Sequence, residues 1–319
     1  MPDSTRHIRI GHLSTFYHTA MLLMAEGTLE QKMEAGVEWR LFGTGPAIVN
    51  AFEKGELDLA YVGLPPAIIG IARGVRIKCI AGGHIEGTVV CGRTSDRGFP
   101  EVDDLGAVFR QFCGLKIGVP GNGSIHDVIL TDCLDRFDLK ASVEVIHFPW
   151  ADAIVEAIVK GEVAAAIGTP ALAVALERYA GGKILYPPAK LWPYNPSYGI
   201  VVYDEFAAGR RELVEAFLVA HESATSLIRS SPEEAAAIIS EYVGFIDKAF
   251  VLDTLKVSPK YCAQLSDEYI RATMDFAAAL RKLGYVNRNV LREEIFDTSL
   301  IRAVHPPGDH YQDGAPPKD

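Results

Sequence analysis

Residues 47–57 have the sequence AIVNAFEKGEL, and residues 153–163 have the sequence AIVEAIVKGEV. The two stretches are identical at seven of eleven positions, with a constant offset of 106 residues. The similarity continues on both sides, with offsets of 107 and 105, in Ile8–Gly11 against Leu115–Gly118 and in Gly63–Pro65 against Gly168–Pro170. A period of this length far exceeds that of solenoid repeats, so the pattern predicts a duplicated lobe. The alternative is two unrelated β-α-β units that share common residue types.

Each copy has the pattern of strand, helix, strand, helix and strand. In the first copy, Pro46 occupies a first helical position and Gly55 supplies the C-cap. In the second copy, Ser124 and Asp127 have the spacing of a capping box at the start of a helix. Strands that alternate with helices predict parallel sheets with right-handed crossovers. We therefore expect an α/β fold with two lobes, each a mainly parallel sheet flanked by helices.

The chain of 319 residues fits two domains better than one. The segments around Gly82–Gly87 and Trp192–Tyr203 are predicted to cross between the lobes. Helices are predicted over residues 19–26, 210–229, 232–243 and 267–283, and the last three are expected to pack on the first lobe. The expected division is a discontinuous first lobe of residues 1–92 plus 199–304, a second lobe of residues 93–198, and a flexible tail of residues 305–319. The tail has four prolines, two glycines and no apolar periodicity, which is typical of a loosely ordered extension.

The composition excludes several classes of partner. Lys and Arg number 31 and Asp and Glu number 41, a formal net charge of −10, whereas nucleic acids and anionic membrane surfaces bind basic faces. No uncharged apolar stretch of about 18 residues occurs, so no membrane insertion is expected. The five cysteines are scattered singly, which argues against a disulfide framework and against a zinc site. The expected partner is therefore a small molecule, with no cofactor and no metal.

The first residues, MPDSTRH, run directly into the apolar segment IRIG. This start has neither a basic n-region nor an apolar h-region, the two parts that precede the cleavage site of a signal peptide. The sequence as written therefore predicts a cytoplasmic protein. It predicts a periplasmic or extracellular protein if a signal sequence was removed.

The order and spacing of several short segments resemble the type II periplasmic-binding-protein superfamily. These segments are HTAMLLMAEG at 18–27, FEKGELDLA at 52–60 with Pro65 and Pro66, KIGVP at 116–120, and KGEVAAA at 160–166. Over about residues 7–303 the chain is similar to the NMT1/SsuA-like group. That group comprises the nitrate, sulfonate, taurine and thiamine-pyrimidine-precursor binding proteins of ABC transporters. The resemblance implies two α/β lobes joined by two crossover strands, with a ligand cleft between them that closes by hinge motion. We expect a monomer that serves an ABC permease.

In open parallel sheets, ligands bind beyond the carboxyl ends of the strands. The candidate ligand contacts are therefore polar, aromatic and loop residues that follow those strand ends or lie at the crossings. The candidates in the first copy are His12, Ser14, Tyr17, His18, Thr44, Gly63 and Pro65. Those in the second copy are Asn122, Gly123, Ser124, Trp150 and Thr169, and those at the crossings are His84, Glu86 and Tyr198.

His18 is predicted at a helix N-terminus, where exposed N–H groups and the helix dipole favour an anion. Its position resembles that of the histidine in the pyrimidine-precursor branch, although the preceding segment Thr15–Tyr17 differs from that branch. The alternative is a structural histidine that caps the helix, and His12 could equally be a packed supporting group. The tight loop Gly121–Ser124 could hold a carboxylate, sulfonate or phosphate through its backbone N–H groups, or it could be a plain turn into a helix.

The aromatic candidates could stack on a planar ligand. Tyr17 and Trp150 combine a large ring with a polar group that can hydrogen-bond, although core packing is the usual fate of such rings. Trp150 stands where the first copy has Thr44, so the two lobes differ chemically at that point. At the first crossing, His84 and Glu86 could contact the ligand or fix the hinge.

The favoured function is a solute-binding protein that captures a small anionic or heteroaromatic metabolite, such as a sulfonate, nitrate or a pyrimidine, for an ABC transporter. The alternative is a cytoplasmic enzyme on the same fold, of lyase, dehydratase or pyrimidine-precursor type, that uses His18 as acid or base. An aromatic sulfinate desulfinase would need a cysteine after the first strand, and Ser14–His18 contains none. The precursor synthase carries a cysteine-rich iron motif, which this sequence lacks. A sensor or scaffold that kept the fold is a third possibility.

Overall fold

The computed structural model describes residues 7–312, which form two five-stranded sheets flanked by helices. The strands are β1 (His7–Leu13), β2 (Gly36–Phe42), β3 (Leu59–Val62), β4 (Ile77–Ile85), β5 (Val89–Arg93), β6 (Lys116–Pro120), β7 (Glu144–Phe148), β8 (Ala165–Gly168), β9 (Gly182–Tyr186) and β10 (Pro196–Tyr203). The helices of the first three-quarters of the chain are α1 (Thr19–Glu26), α2 (Leu29–Met33), α3 (Gly45–Glu53), α4 (Leu64–Ala72), α5 (Leu105–Arg110), α6 (Ile125–Arg136), α7 (Asp152–Val159), α8 (Pro170–Ala180), α9 (Pro188–Leu191), α10 (Asp204–Gly209) and α11 (Arg211–Ser230). The remaining helices are α12 (Pro232–Val243), α13 (Lys248–Val257), α14 (Asp267–Leu283), α15 (Arg292–Ile295) and α16 (Ser299–Val304).

The two sheets share one strand order. The first sheet is ordered β2-β1-β3-β10-β4 and the second β7-β6-β8-β5-β9. β1 pairs in parallel with β2 and β3, and β6 pairs in parallel with β7 and β8. The fourth strand of each sheet, β10 or β5, is antiparallel to both of its neighbours. The predicted α/β fold with two mainly parallel sheets is therefore confirmed.

The chain passes between the sheets twice. β4 of the first sheet and β5 of the second are separated only by residues 86–88. The chain returns through residues 187–195, which include α9, and enters β10 of the first sheet. Each passage lies a few residues before the lobe boundary expected at residues 92/93 or 198/199. The first half of the molecule is the first sheet with its helices, and the second half is the second sheet with its helices.

Local sequence explains where several helices begin and end. α1 and α14 cover the segments predicted for them, and each is followed by a glycine in the left-handed region, Gly27 at φ 60° and Gly284 at φ 84°. At the start of α6, the Ser124 hydroxyl accepts the Asp127 N–H at 3.2 Å, as a capping box requires. The Asp127 carboxylate, however, accepts the N–H of Gly123 and not that of Ser124. The predicted capping box is therefore only half formed.

The helices after β10 contact both halves. α14 packs against α4 and β10 on the first half and against α6 on the second. α13, which was not predicted from the sequence, packs on α8 of the second half. Arg178 of α8 reinforces this contact through ion pairs with Asp247 at 3.1 Å and Asp253 at 2.7 Å. The expectation that these helices pack on the first lobe alone is incomplete.

The beginning of the expected tail is packed against the first half. Tyr311 is fully buried, and its hydroxyl donates to the carbonyl oxygen of Gln264 at 3.2 Å. His305 pairs with Glu222 of α11 at 2.6 Å. The rest of the expected tail, residues 313–319, lies outside the described residues. Within residues 7–312, no helix is long and apolar enough to cross a membrane.

Candidate functional site

A cavity lies between the two sheets, beyond the carboxyl ends of their parallel strands. Its volume is about 50 Å³, and both halves of the chain contribute to its lining. The predicted contacts that line it are Ser14, Tyr17, His18, Thr44, Gly63, Ser124 and Thr169. The fold thus brings together candidates from both copies of the repeat.

Within residues 7–312, six helices begin at this cavity: α1, α3, α4, α6, α7 and α8. Their N-cap residues, all in the lining, are His18, Thr44, Gly63, Ser124, Ala151 and Thr169. The first turn of a helix has N–H groups without intrahelical partners and the positive end of the helix dipole. Prolines in the first turns of α3, α4 and α8 remove some of these donors. The convergence therefore favours hydrogen-bond acceptors, through a limited set of donors.

Two threonine hydroxyls in the lining can donate to a ligand. Thr44 Oγ1 accepts the Ala47 N–H at 3.4 Å, and Thr169 Oγ1 accepts the Leu172 N–H at 3.3 Å. Because each oxygen already accepts a bond from its own helix, its hydroxyl proton is available to a ligand. Thr44 is the N-cap of α3 in the first half, and Thr169 is the N-cap of α8 in the second. A ligand between them could therefore be bound from both halves.

His18 is almost fully buried and is surrounded by aromatic rings. Its ring lies 4.1 Å from that of Tyr198 and 4.7 Å from that of Tyr17, centroid to centroid. Burial lowers the pKa of His18 well below its ordinary value, and the nearby His84 and His12 lower it further. His18 Nδ1 and the Oγ1 of Thr15, a second lining residue, are buried without a hydrogen-bond partner. Since buried polar atoms are nearly always paired, these two mark where a ligand could bind.

His126 is a cavity residue that was not among the predicted contacts. It is mostly buried in the first turn of α6, and its Nδ1 lies 3.0 Å from Thr88 Oγ1. Burial lowers the pKa of His126 to about 3, so the ring is neutral at physiological pH. The sequence signal was its place two residues after the N-cap Ser124, which puts it in the first turn. His18 and His126 thus supply one neutral imidazole from each half.

The lining carries little charge. Among the described residues that line the cavity there is no lysine or arginine. Asp152, at the start of α7, is an exposed residue whose carboxylate is in the lining, and partial desolvation there raises its pKa. An anionic ligand would therefore rely on backbone N–H groups, hydroxyls and neutral imidazoles.

The two halves touch around the cavity. A Cβ on Gly121 would lie 2.8 Å from Thr44 Cγ2, and a Cβ on Gly43 would collide with the Pro149 carbonyl oxygen and lie 3.1 Å from the Trp150 ring. These are contacts between the first and the second half. A cavity of about 50 Å³ holds only one or two water molecules. The conformation is therefore closed, with the two halves in contact around a cavity that is smaller than a typical metabolite.

The chain matches the model of the NMT1-like family over residues 2–243. It belongs to the NMT1-like family. This match covers three-quarters of the chain, including both sheets and all six helix N-termini that meet at the cavity. The resemblance found in the sequence is thereby confirmed.

Relatives of this NMT1-like protein include a "putative binding protein" of Brucella abortus (strain 2308), which is 26% identical over 275 residues, 84% of this chain and 80% of the relative. Among solved structures it is similar to the alkanesulfonate-binding protein SsuA from Xanthomonas axonopodis pv. citri bound to MOPS, with a TM-score of 0.77. The two sequences are 18% identical, and the match covers 91% of this chain and 98% of SsuA. It is also similar to the periplasmic nitrate-binding protein NrtA from Synechocystis PCC 6803, with a TM-score of 0.75 and 14% identity over 94% of this chain and 88% of that one. At these identities the structural matches show a shared two-lobed fold.

Several predicted contacts of the NMT1-like chain lie outside the cavity lining. His12 packs edge-on against Trp39, with ring centroids 5.9 Å apart. Tyr198 is fully buried behind His18, and Trp150 lies beside the cavity, against Gly43. Pro65 is buried in α4, and its neighbour Pro66 lines the cavity instead. A direct role of these residues in ligand contact stays a prediction.

Asn122 and Gly123 also lie outside the lining. The Gly123 N–H, a predicted donor to an anion, instead donates to the Asp127 carboxylate at 2.7 Å. Asn122 lines a separate surface depression together with Asp127, His147 and Tyr285. Of the predicted Gly121–Ser124 cradle, Ser124 therefore reaches the cavity, whereas the loop before it is held by protein groups.

His84 and Glu86, at or next to the first passage, bond to other protein groups. His84 Nε2 donates to the Ser258 carbonyl oxygen at 2.6 Å. The Glu86 carboxylate accepts the Tyr194 N–H at 3.0 Å from the returning passage and pairs with Lys260 at 2.7 Å. Glu86 itself has φ 61°, a left-handed conformation that is uncommon for a residue with a side chain. Neither residue lines the cavity, and the choice between the two roles left open for them stays a prediction.

Proposed function

We propose that this NMT1-like protein is a solute-binding protein that captures a small anionic or heteroaromatic metabolite in the cavity between its halves. The main support for the proposal is the convergence of six helix N-termini on this cavity. Its lining also includes two buried polar atoms without a hydrogen-bond partner, Thr15 Oγ1 and His18 Nδ1. A ligand there would satisfy those atoms and would interact with the positive ends of the helices.

The chemistry of the lining favours a ligand rich in hydrogen-bond acceptors. Thr44, Thr169 and the first-turn N–H groups donate, and the neutral imidazoles of His18 and His126 can donate from one nitrogen. A sulfonate, a carboxylate or a ring with acceptor nitrogens matches this set. The names of the structural neighbours, an alkanesulfonate-binding and a nitrate-binding protein, support the anionic members of this class.

Capture would occur by closure of the two halves. The two sheets with their helices are taken as the moving lobes, and the passages at residues 86–88 and 187–195 are taken as the hinge. The protein is proposed to act as a monomer and to deliver its ligand to an ABC permease. Membership of the NMT1-like family supports this assignment, as does the similarity to a ligand-binding component of an ABC-type import system from Staphylococcus aureus.

The test is calorimetric binding of ethanesulfonate, nitrate, benzoate and 4-aminopyrimidine to the full chain. We expect at least one probe to bind with a Kd in the micromolar range. Thr44→Val and Thr169→Val should each weaken that binding about tenfold, because each removes a buried hydrogen bond without changing side-chain size.

The matched control is Thr254→Val in α13. The Thr254 hydroxyl is also buried, but it donates to the Phe250 carbonyl oxygen away from the cavity, so the affinity should stay unchanged. The proposal fails if folded protein binds none of the four probes, or if Thr254→Val weakens binding as much as the two cavity variants.

The enzyme alternative depends on His18 as an acid or base. A histidine base is usually oriented by a carboxylate or another polar partner. The groups around the His18 ring are the aromatic rings of Tyr17, Tyr61 and Tyr198. This environment suits a neutral binding group, so the observed geometry favours capture over catalysis.

A further inference from the structure

Asp127 is a buried carboxylate that the binding site does not use. It lies in the first turn of α6, is 2% exposed, and does not line the cavity. Its Oδ2 accepts the Gly123 N–H at 2.7 Å and the Tyr285 hydroxyl at 2.7 Å. Its Oδ1 lies 2.7 Å from His147 Nε2. Donors from a loop, a strand and a distant segment thus meet at one side chain.

One of these donors comes from the segment after α14, a helix that contacts both halves. α14 packs on α4 and β10 of the first half and on α6 of the second. Tyr285 follows the C-cap Gly284 of α14, and its N–H donates to the Leu280 carbonyl oxygen of that helix. Burial raises the pKa of Tyr285, so the phenol keeps its proton and donates it to Asp127. Thr131 Oγ1, one helical turn further along α6, lies 3.1 Å from the same hydroxyl. Tyr285 therefore bonds the segment after α14 to α6 of the second half.

The Gly123 N–H, another donor to Asp127, belongs to the loop that borders the cavity. Gly121 and Gly123 have φ values of 40° and 78°, and this loop sets the N-cap Ser124, which lines the cavity. The bond from Gly123 N–H to Asp127 ties the loop to the helix that comes after it. The same loop meets the first half, where Gly121 lies against Thr44.

We propose that Asp127 is a positioning residue that couples the shape of the Gly121–Ser124 loop to closure of the halves. When the halves are together, Tyr285 completes the hydrogen bonds of the carboxylate. When they separate, Asp127 loses that donor, and its bond to the loop must then compete with water. The inference rests on the proposed capture of a ligand by closure.

The test measures closure directly, without a ligand. Spin labels are placed by Lys54→Cys and Lys160→Cys, at the exposed repeat-related ends of α3 and α7, in a Cys113→Ser chain that removes the exposed native thiol. Double electron–electron resonance then gives the populations of short and long distances. Tyr285→Phe should shift the ratio toward the open state about tenfold, because a bond to a charged acceptor is among the stronger hydrogen bonds.

The matched control is Tyr186→Phe. Tyr186 also donates a hydroxyl bond, at 3.1 Å to the Asp103 carbonyl oxygen, but both residues belong to the second half. Its distance distribution should equal that of the parent chain. Amide exchange at Gly123 gives a second readout, since Tyr285→Phe should speed it and Tyr186→Phe should not.

Two results would overturn the coupling: equal distance distributions for the parent and Tyr285→Phe, or an equal shift in Tyr186→Phe. A shift in distances with unchanged Gly123 exchange would also overturn it, since closure would then be independent of the loop. These outcomes are separate from failure of the proposed function. If no probe binds, the proposed function fails, but the distance measurements still test the coupling. If a probe binds and Tyr285→Phe leaves the distances unchanged, only the coupling fails.

Discussion

Four of the five histidines that are buried within residues 7–312 account for much of the pH response expected of this protein. Burial lowers the pKa of His84 and His221 to about 4, that of His126 to about 3, and that of His18 well below its ordinary value. Each ring is therefore neutral in the folded chain at pH 7. Their hydrogen bonds fit this state, since His221 joins Thr19 and the Gly82 carbonyl oxygen through its two nitrogens.

Stability should fall when the pH drops below about 6.5. The pKa of each buried histidine is lower in the folded chain than the value of about 6.5 in the unfolded chain, so the unfolded state binds more protons. Each histidine thus contributes stability that is present above about pH 6.5 and is lost as the pH falls toward the folded pKa. Between about pH 7.5 and 5.5 the loss is about 1.4 kcal/mol per histidine. Urea unfolding at the two pH values measures it.

His126→Gln tests how much a single histidine contributes to this loss of stability at low pH. The difference in unfolding free energy between about pH 7.5 and 5.5 should shrink by about 1.4 kcal/mol, because one proton-binding group has been removed from the unfolded state. Thr88→Val, which removes the hydroxyl 3.0 Å from His126 Nδ1 but no titratable group, should leave the difference unchanged. A His126→Gln protein with the full pH dependence of the parent would contradict the neutral, buried state assigned to His126.

For single residues, the sequence predicted which of them follow the strand ends. It did not predict which of their polar atoms already have a hydrogen-bond partner within the protein. Ser14, His18, Thr44 and Thr169 were predicted as contacts and do line the cavity. Gly123 was predicted as a donor, yet its N–H is taken by Asp127, four residues later in the chain. Such competition depends on side-chain orientation, which residue spacing does not specify.

Helix capping allows a matched test at the scale of single elements. Ser266 is the N-cap of α14 and its hydroxyl accepts the Tyr269 N–H at 3.2 Å. Ser231 precedes Pro232 of α12 in the same position, but its side chain makes no capping bond. Both serines begin helices that the sequence predicted, and only one of them caps its helix through its side chain.

Ser266→Ala should lower the unfolding free energy by about 1 kcal/mol, since it leaves a first-turn N–H without its acceptor. Ser231→Ala should change it by only a few tenths of a kcal/mol. Urea unfolding monitored by circular dichroism is sufficient for both. Equal losses in the two variants would show that the difference in capping geometry has no energetic consequence.

The helices also show where sequence patterns are informative and where they are not. α14 has a long amphipathic pattern between a serine and a glycine, and its bounds match the prediction. α13 is shorter, and its packing against α8 and the ion pairs of Arg178 involve residues about 70 positions away in the chain. Contacts of that separation stabilise α13 without leaving a local signal.

We expect closure of the whole molecule to require the small size of Gly121. A Cβ at this position would lie 2.8 Å from Thr44 of the first half, so Gly121→Ala should hold the halves apart and increase the radius of gyration in small-angle X-ray scattering. Gly161→Ala is the control, because Gly161 also has a positive φ, 73°, but a Cβ there would only meet Arg93 of the same half at 3.8 Å. Equal radii for the two variants would show that this contact does not limit closure.

The antiparallel strands β5 and β10 show how the two units of the repeat depend on each other. β5 ends the first repeat unit but completes the second sheet, and β10 ends the second unit but completes the first sheet. The last strand of each unit is therefore part of the sheet formed by the other unit. This is the arrangement of a strand-swapped dimer fused into one chain. Cutting the chain between the units would leave two fragments, each with an incomplete sheet and a detached strand. We expect such fragments to be insoluble when expressed singly and to reassemble when expressed together, so that neither copy of the repeat is a domain by itself.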